Sequence, residues 1–444
     1  MDAVDREDAE RGVVRREYGG IGRAHGAALI LLAGAVTAAP HVAFVWSYAV
    51  AAGAWLWLAG GTIGPVGSMG PRLRYVIVIA LVLRALLLFT PPRLSGDVHR
   101  YLWDGSTLAG GTNPYRYSPA ERGAPAEINH PEIRTIYPPH ALLLFVLFRP
   151  LVVWRLFLIA CDLVALWQLR RWPRLALLYA TFPLLLIEGA WSAHVDAVAG
   201  MFLLLALLHH SGVAAAIAVG IKVIPIAAVP ALRLRGRRLL AFLATLLLPV
   251  VPFALSGPLM PGMRDYATRW IFNSPAYDLV FALVERLPLK DWWTVHPLRV
   301  QLISDVVYRH LYPDFVTRAV LGVVAVALIA WVTYRTDGTK QGGSGAVSAA
   351  IGILLLCSPT IHPWYWLALV PVALVERSTW LYVALCAPFS YLLYRGASPW
   401  LVYALCYALP LVIARLRPSG NATSGAGWRF AGLRFRRARG TSPS

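Results

Sequence analysis

Residues 151–174 read LVVWRLFLIACDLVALWQL followed by RRWPR. The first part, Leu151 to Leu169, is close to the ~20 residues that a helix needs to cross the ~30 Å hydrocarbon layer of a bilayer. It runs without strict apolar–polar alternation, so the period-2 pattern of a barrel strand is missing. Backbone N–H and C=O groups in lipid must find partners within their own segment, which makes such a run a helix. The second part, Arg170–Arg171–Trp172–Pro173–Arg174, is a basic cluster of the kind that marks a cytoplasmic helix end.

The same pairing recurs along the chain. Of its 444 residues 58% are hydrophobic and 14% charged, against about 25% charged in an ordinary soluble domain. The net charge of +19 would suggest nucleic acid in a soluble protein. Here the basic residues form short clusters between apolar runs and at the C-terminus (170–174, Arg233 to Arg238, Arg429 to Arg439), where they read as anchors, and nucleic-acid binding is excluded as the explanation. Cys161, Cys357, Cys386 and Cys406 lie in apolar runs with no metal-ligand spacing and read as packing residues. Residues 1–24 are polar and lack a signal-peptide core, so the first span reads as an uncleaved anchor.

With the N-terminus cytoplasmic, spans are expected at about 26–46, 47–60, 73–90, 151–169, 175–190, 195–209, 238–256, 316–334, 346–361, 363–377, 378–394 and 398–415. Between them, 212–232 is broken by Gly220 and Pro225 around Lys222 and reads as a re-entrant hairpin or two short helices. Residues 138–150 are too short to span and read as an interfacial or re-entrant helix. The fold class is therefore all-α, a polytopic bundle of about 12–14 helices. Residues 1–24 form a cytoplasmic tail, 25–415 the membrane domain and 416–444 a basic cytoplasmic tail. This threading gathers four polar features on the non-cytoplasmic side: loop 91–137, the turn His194–Val195–Asp196, loop 257–315, and the tip His362–Pro363–Trp364–Tyr365–Trp366.

Chemistry-bearing residues concentrate in those features. A helical stretch from Val98 would put Asp97, Arg100 and Asp104 near one face. Asp97 is a candidate functional carboxylate or a helix N-cap; Asp104 has a direct role or serves as the ion-pair partner of Arg100. Tyr101, Trp103, Tyr115 and Tyr137 form an interfacial aromatic belt or a sugar-stacking wall. Glu188, His194 and Asp196 are ionisable groups at the ends of apolar spans, expensive to keep without a use; a His and an Asp two apart also cap a tight turn. Lys222 and His362 suit an anionic group such as a phosphate, or pair with a carboxylate across the bundle. Asp97, His194 and Asp196 could ligate a divalent cation, yet no local spacing demands a metal.

The ordered set Gly96-Asp97…Tyr101-Leu102-Trp103-Asp104-Gly105…Asn113-Pro114-Tyr115, Tyr137-Pro138-Pro139, His194-Val195-Asp196, Lys222-Val223-Ile224-Pro225 and Ser358-Pro359…His362-Pro363-Trp364-Tyr365 resembles the GT-C superfamily of polytopic glycosyltransferases. It is most similar to bacterial polyprenol-phosphate-mannose-dependent mannosyltransferases. The resemblance implies a GT-C-like bundle whose outer loops form the active site, with Asp97 in the place of the catalytic base. It implies a polyprenyl-phosphate sugar donor, a glycan or glycolipid acceptor of the cell envelope, and a multi-pass position in the plasma (inner) membrane facing the periplasm or exterior. The implied substrate-binding set is Arg100, Tyr101, Trp103, Asp104, Asn113, Tyr115, Tyr137, His194, Asp196, Lys222, His362, Trp364 and Tyr365. Many relatives carry His-Asn-Asp where this chain has His194-Val195-Asp196.

The expected reaction is one inverting displacement, for which a single carboxylate suffices because no glycosyl-enzyme forms. The sequence establishes no cofactor, and a divalent cation stays open. The rival from another class is a transporter or lipid flippase, to which the broken element around Lys222 would be suited. Against it stand the absence of a two-fold repeat and the crowding of polar groups at one face. A non-catalytic scaffold leaves those outer carboxylates unexplained. The sequon at Asn421 falls in the cytoplasmic tail and reads as chance.

Overall fold

Prolines decide where the apolar runs start and bend. A proline has no N–H to offer and its φ is already helical, so it opens helices cheaply and interrupts them expensively. In the computed structural model, which describes residues 23–41, 44–60, 70–287, 313–336 and 345–416, Pro139, Pro173, Pro261, Pro275 and Pro399 each open a helix. The tail up to residue 22, residues 288–312 of the second large loop, and the basic tail from 417 with Asn421 and Arg429–Arg439 lie outside the described residues.

In order, the elements are α1 (Arg23–Ala38), α2 (Phe44–Gly60), α3 (Gly70–Leu88), α4 (Asp97–Ala109), α5 (Pro139–Leu147), α6 (Leu151–Leu169) and α7 (Pro173–Ala180). A π-helical turn at Leu185–Trp191 leads to α8 (Asp196–His209) and α9 (Gly212–Ile221). Then come a 3-10 turn at Ile224–Ala228, α10 (Val229–Leu232), α11 (Arg237–Leu255), α12 (Pro261–Arg269), α13 (Pro275–Glu285), α14 (Asp314–Arg335) and α15 (Ala346–Leu356). The chain closes with a 3-10 turn at Pro363–Ala368, α16 (Val370–Glu376), α17 (Trp380–Cys386), a 3-10 stretch at Ala387–Arg395, and α18 (Pro399–Leu416). Extended pairing among the described residues is confined to one isolated parallel bridge between Phe272 and Thr360. The molecule is an all-α polytopic bundle, as the uninterrupted apolar runs require.

Four described helices, α6, α11, α14 and α18, are long and apolar enough to cross a membrane. The pair α7 and 185–191, bent by 60°, makes a fifth if it counts as one broken span. The expected span 73–90 falls on α3, a single helix of 19 residues, and the other expected spans are built from shorter pieces. The expected span 346–361 stops being helical at Leu356, and its last residues run on as a strap beside Phe272. The 212–232 element resolves into α9, an extended Lys222, and two short helical pieces.

Burial sorts these helices into an outer ring and a centre. Only 11% of α11 and 17% of α14 is buried, and residues such as Leu248, Leu255, Val323 and Val326 project outward, which suits a lipid-facing surface. Residues 176–200, by contrast, are all buried. One buried ion pair ties α3 to α6. Arg84 of α3 meets Asp162 of α6 at 2.9 Å, Tyr179 donates to the other Asp162 oxygen at 2.8 Å, and Arg84 donates to the Ala180 carbonyl at 3.1 Å. A buried charge is tolerated when it is paired and hydrogen-bonded in this way. Close approach also shapes the packing of the first large loop: a Cβ on Gly105 would sit 2.3 Å from the Phe145 carbonyl oxygen, so α4 packs backbone-to-backbone on α5.

Candidate active site

The first large loop begins by turning back into α4. Its N-cap is Gly96, and no side chain caps the helix. The alternative of Asp97 as an N-cap is thereby set aside: Asp97 is the first helical residue, and its carboxylate is 25% exposed. It faces a cavity of about 690 Å³ and is, among the described residues, the one carboxylate on the lining. The helix N-terminus behind it favours negative charge at that position.

Arg100, one turn along, also reaches the lining. It donates to Asp104 at 3.0 Å and to the Ile133 carbonyl at 2.8 Å. Asp104 is thus the buried ion-pair partner of Arg100 and does not line the cavity. Burial pushes its carboxyl above the ordinary range, opposed by the Arg100 guanidinium.

Tyr137 lines the cavity, while Tyr101 stands behind it in a ring cluster with Phe145 and Trp154. Asn113 and Tyr115 act as braces away from the lining: Asn113 donates to Ser256 at 2.6 Å, and the Tyr115 hydroxyl donates to the Tyr137 carbonyl at 2.6 Å. Trp103 is half-buried, also off the lining.

The central turn is built from unusual backbone. Residues 185–191 form a π-helical turn, a rare conformation that tends to occur at functional sites. Ala193 then takes φ +63°, unusual for a residue with a Cβ. The turn is held by the His194 N–H donating to the Glu188 carbonyl at 2.9 Å and by Trp154 donating to the Ala193 carbonyl at 2.9 Å. Neither His194 nor Asp196 lines the cavity; both are fully buried behind it. His194 Nδ1 lies 3.9 Å from Asp97 Oδ2, and Lys222 Nζ lies 3.2 Å from Asp196 Oδ2. Lys222 does reach the lining, under the rings of Tyr365 at 4.9 Å and Tyr137 at 5.5 Å.

His362, Trp364 and Tyr365 complete the predicted residues on the lining. Five rings stack in series there. His194 and Trp364 are 4.2 Å apart, Trp364 and His362 4.3 Å, His362 and Phe272 4.7 Å, and Phe272 and Tyr394 5.1 Å. The column runs from the buried centre to an exposed Tyr394. Phe272 is set by the single bridge: its N–H donates to Pro359 and its carbonyl accepts from Ile361.

The cavity thus joins loop 91–137, Lys222, the described part of loop 257–315 and the 362–365 tip, while the His194–Asp196 turn supports it from within. Sequence reading missed Arg93, Arg134, Tyr266, Trp270, Phe272, Tyr391 and Tyr394, all on the lining. Only Arg93 and Arg134 carried a local signal, as charges flanking Asp97 in the same loop. Among the described residues no three His, Cys, Asp or Glu side chains group so as to hold a metal ion.

Residues 12–144 match the family model described as alpha-(1->6)-mannopyranosyltransferase, N-terminal domain, of the MptA_B family. The matched stretch contains Asp97, Arg100 and Tyr137, and ends before His194, Lys222 and His362. No curated protein and no solved structure matches the chain. The match agrees with the resemblance carried by the motifs and supports a membrane glycosyltransferase of the GT-C kind, a mannosyltransferase within that class.

Proposed function

We propose that the cavity binds a polyprenyl-phosphate-linked mannose and that Asp97 removes the proton from an acceptor hydroxyl as the sugar is transferred with inversion. The observation that carries this reading is the lone carboxylate: Asp97 is the one acid among the described lining residues, set among Arg93, Arg100, Arg134 and Lys222. An inverting displacement needs one base and a place for a departing anion. The leaving lipid phosphate is already a weak base, so it needs positive charge more than a proton. Arg100 is committed to Asp104 and Lys222 to Asp196, so each presents a cation whose own charge is largely balanced. Arg93 and Arg134 are exposed at the rim, where a headgroup arriving from the bilayer surface would meet them first.

The sugar would be held by rings and by polar atoms that lack protein partners. His362 Nδ1 and Trp364 Nε1 are buried on the lining without a hydrogen bond, a cost in a folded protein that a ligand hydroxyl would relieve. The donor's polyprenyl tail stays in the membrane, alongside apolar outer helices such as α11 and α14. The membrane domain 25–415 acts as one catalytic unit facing the periplasm or exterior, with a cell-envelope glycan or glycolipid as acceptor. Purified protein in lipid nanodiscs, given labelled polyprenyl-phosphate mannose and membrane glycolipid, tests this: a new labelled glycoside is expected, absent with Asp97→Asn. Uptake of the lipid sugar by sealed vesicles with no glycoside formed would replace this reading with a transporter.

A further inference from the structure

Behind Asp97, on the side away from the cavity, stand two buried groups that the transfer as described does not use. His194 and Glu188 are fully buried. The imidazole bridges two carboxylates, with Nδ1 3.9 Å from Asp97 Oδ2 and Nε2 3.3 Å from Glu188 Oε2. Nε2 and that Glu188 oxygen, though within ion-pair distance, are each buried without a hydrogen-bond partner. Tyr391 donates to the other Glu188 oxygen at 2.9 Å, which turns the free oxygen toward the ring. The plane of the ring is fixed by Trp364, stacked at 4.2 Å and 8°. On the Asp97 side, the Tyr101 hydroxyl lies 3.4 Å from Nδ1. The π-helical turn and the left-handed Ala193 are what bring Glu188 and His194 together.

A buried acid and imidazole could serve only to tie helices together. Such a tie would have no need for the second ring nitrogen to face the cavity's carboxylate, nor for a separate tyrosine to aim the acid. We propose that Glu188 is a positioning residue that acts through His194, holding the imidazole with Nε2 protonated and Nδ1 turned toward Asp97, so that His194 can take on the proton Asp97 abstracts. This rests on the mannosyl-transfer reading of the cavity.

In that reaction the acceptor O–H bond breaks as its oxygen bonds to the anomeric carbon. The bond from that carbon to the phosphate oxygen breaks with its electron pair, and the proton passes to Asp97 and on to His194 Nδ1. The products are the glycoside, a lipid phosphate carrying one more negative charge, and an imidazolium lying between two carboxylates. The other charged groups facing this ring are Asp196 and Lys222, which pair with each other, and His362 beyond Trp364. Glu188 is therefore the group left to balance the imidazolium when Asp97 takes its next proton.

The test uses the full chain in nanodiscs. Nitrogen-15 NMR of histidine-labelled protein, with the His194 signal identified by its loss in His194→Gln, reads the tautomer directly and needs no activity. The expected result is a proton on Nε2; a neutral ring protonated on Nδ1 overturns the proposal. In steady-state transfer, Glu188→Gln is expected to lower kcat about tenfold or more, within the ~10²–10⁴-fold that a general base contributes, with the donor KM unchanged. Adding it to His194→Gln should cost nothing further, because both act through one ring. Wild-type kcat in Glu188→Gln, or losses that multiply in the double variant, also overturn it. If Glu188→Gln fails to fold, Tyr391→Phe, which removes the hydroxyl aiming Glu188, must lower kcat in its place, and wild-type kcat there has the same force. Should the wild-type protein transfer no mannose, the reading of the cavity falls, while the tautomer still decides the role of Glu188.

Discussion

Lys222 Nζ lies 3.2 Å from Asp196 Oδ2, joining the break after α9 to the first residue of α8. The carboxylate is fully buried, and the ammonium is nearly so but also lines the cavity. One contact thus both closes the helical centre and holds a cation at the cavity wall. The two roles separate on substitution. Lys222→Met leaves Asp196 charged and alone and should cost about 3–5 kcal/mol of stability, whereas Lys222→Met with Asp196→Leu should recover most of it. Thermal unfolding in detergent checks the stability, and a kcat that recovers along with it would remove Lys222 from the transfer step.

Asp97→Asn should lower transfer by ~10²–10⁴-fold, the usual worth of a general base. The side chain is part-exposed and caps no helix, so expression and melting temperature should stay at the wild-type level. Transfer measured from labelled polyprenyl-phosphate mannose decides it, and near wild-type rates in the variant refute the assignment of the base.

How much of this could be read in advance divides along the range of the contacts involved. Asp97, Arg100 and Tyr137 were legible because one loop carries them together with its own turn and cap residues. The π-helical turn was not: Glu188 marked the stretch Leu185–Trp191 as carrying a charge, but nothing local signals π in place of α geometry, and the partner of that charge, Tyr391, lies 203 residues away in sequence. Tyr266, Phe272 and Tyr394 escaped for a related reason. Their place on the cavity is set by bonds such as Phe272 to Pro359, which join residues far apart in sequence and leave no local pattern. Arg84 and Asp162 are a different case. A charge in an apolar run invites a functional reading, yet here the two satisfy each other.

That pairing makes its own prediction. Arg84→Leu should destabilise the protein by about 3–5 kcal/mol by stranding Asp162, and Arg84→Leu with Asp162→Leu should recover most of the loss. Neither residue lines the cavity, so the donor KM of the double variant should equal that of wild type. A shifted KM in steady-state assays would tie the pair to the site.

Trp364 is the second ring of the stacked column and carries an indole N–H with no partner. Trp364→Phe keeps a ring and removes the donor; Trp364→Leu removes both. An aromatic pair is worth about 0.5–1.5 kcal/mol beyond its buried area, so Trp364→Leu should raise the donor KM more than Trp364→Phe does. Equal KM values for the two would show that stacking does not hold the sugar.

Gly105 sits where any Cβ would meet the Phe145 carbonyl oxygen at 2.3 Å. Gly105→Ala must push α4 off α5 and should cost about 1–3 kcal/mol, the usual range for overpacking. Because Asp97 opens the same helix, activity should fall together with the melting temperature. An unchanged melting temperature would mean that the two helices can separate freely.

The cavity wall begins at Arg93 and ends at Tyr394, which bears on how the protein is made. Chains emerge from the ribosome N-terminus first, so Asp97 enters the membrane long before the rings that would seat a sugar beside it. A nascent or prematurely terminated chain carries the acid without its pocket. On the proposed reading such fragments would leave the lipid-linked sugar untouched, and donor turnover would require a chain made at least as far as Tyr394.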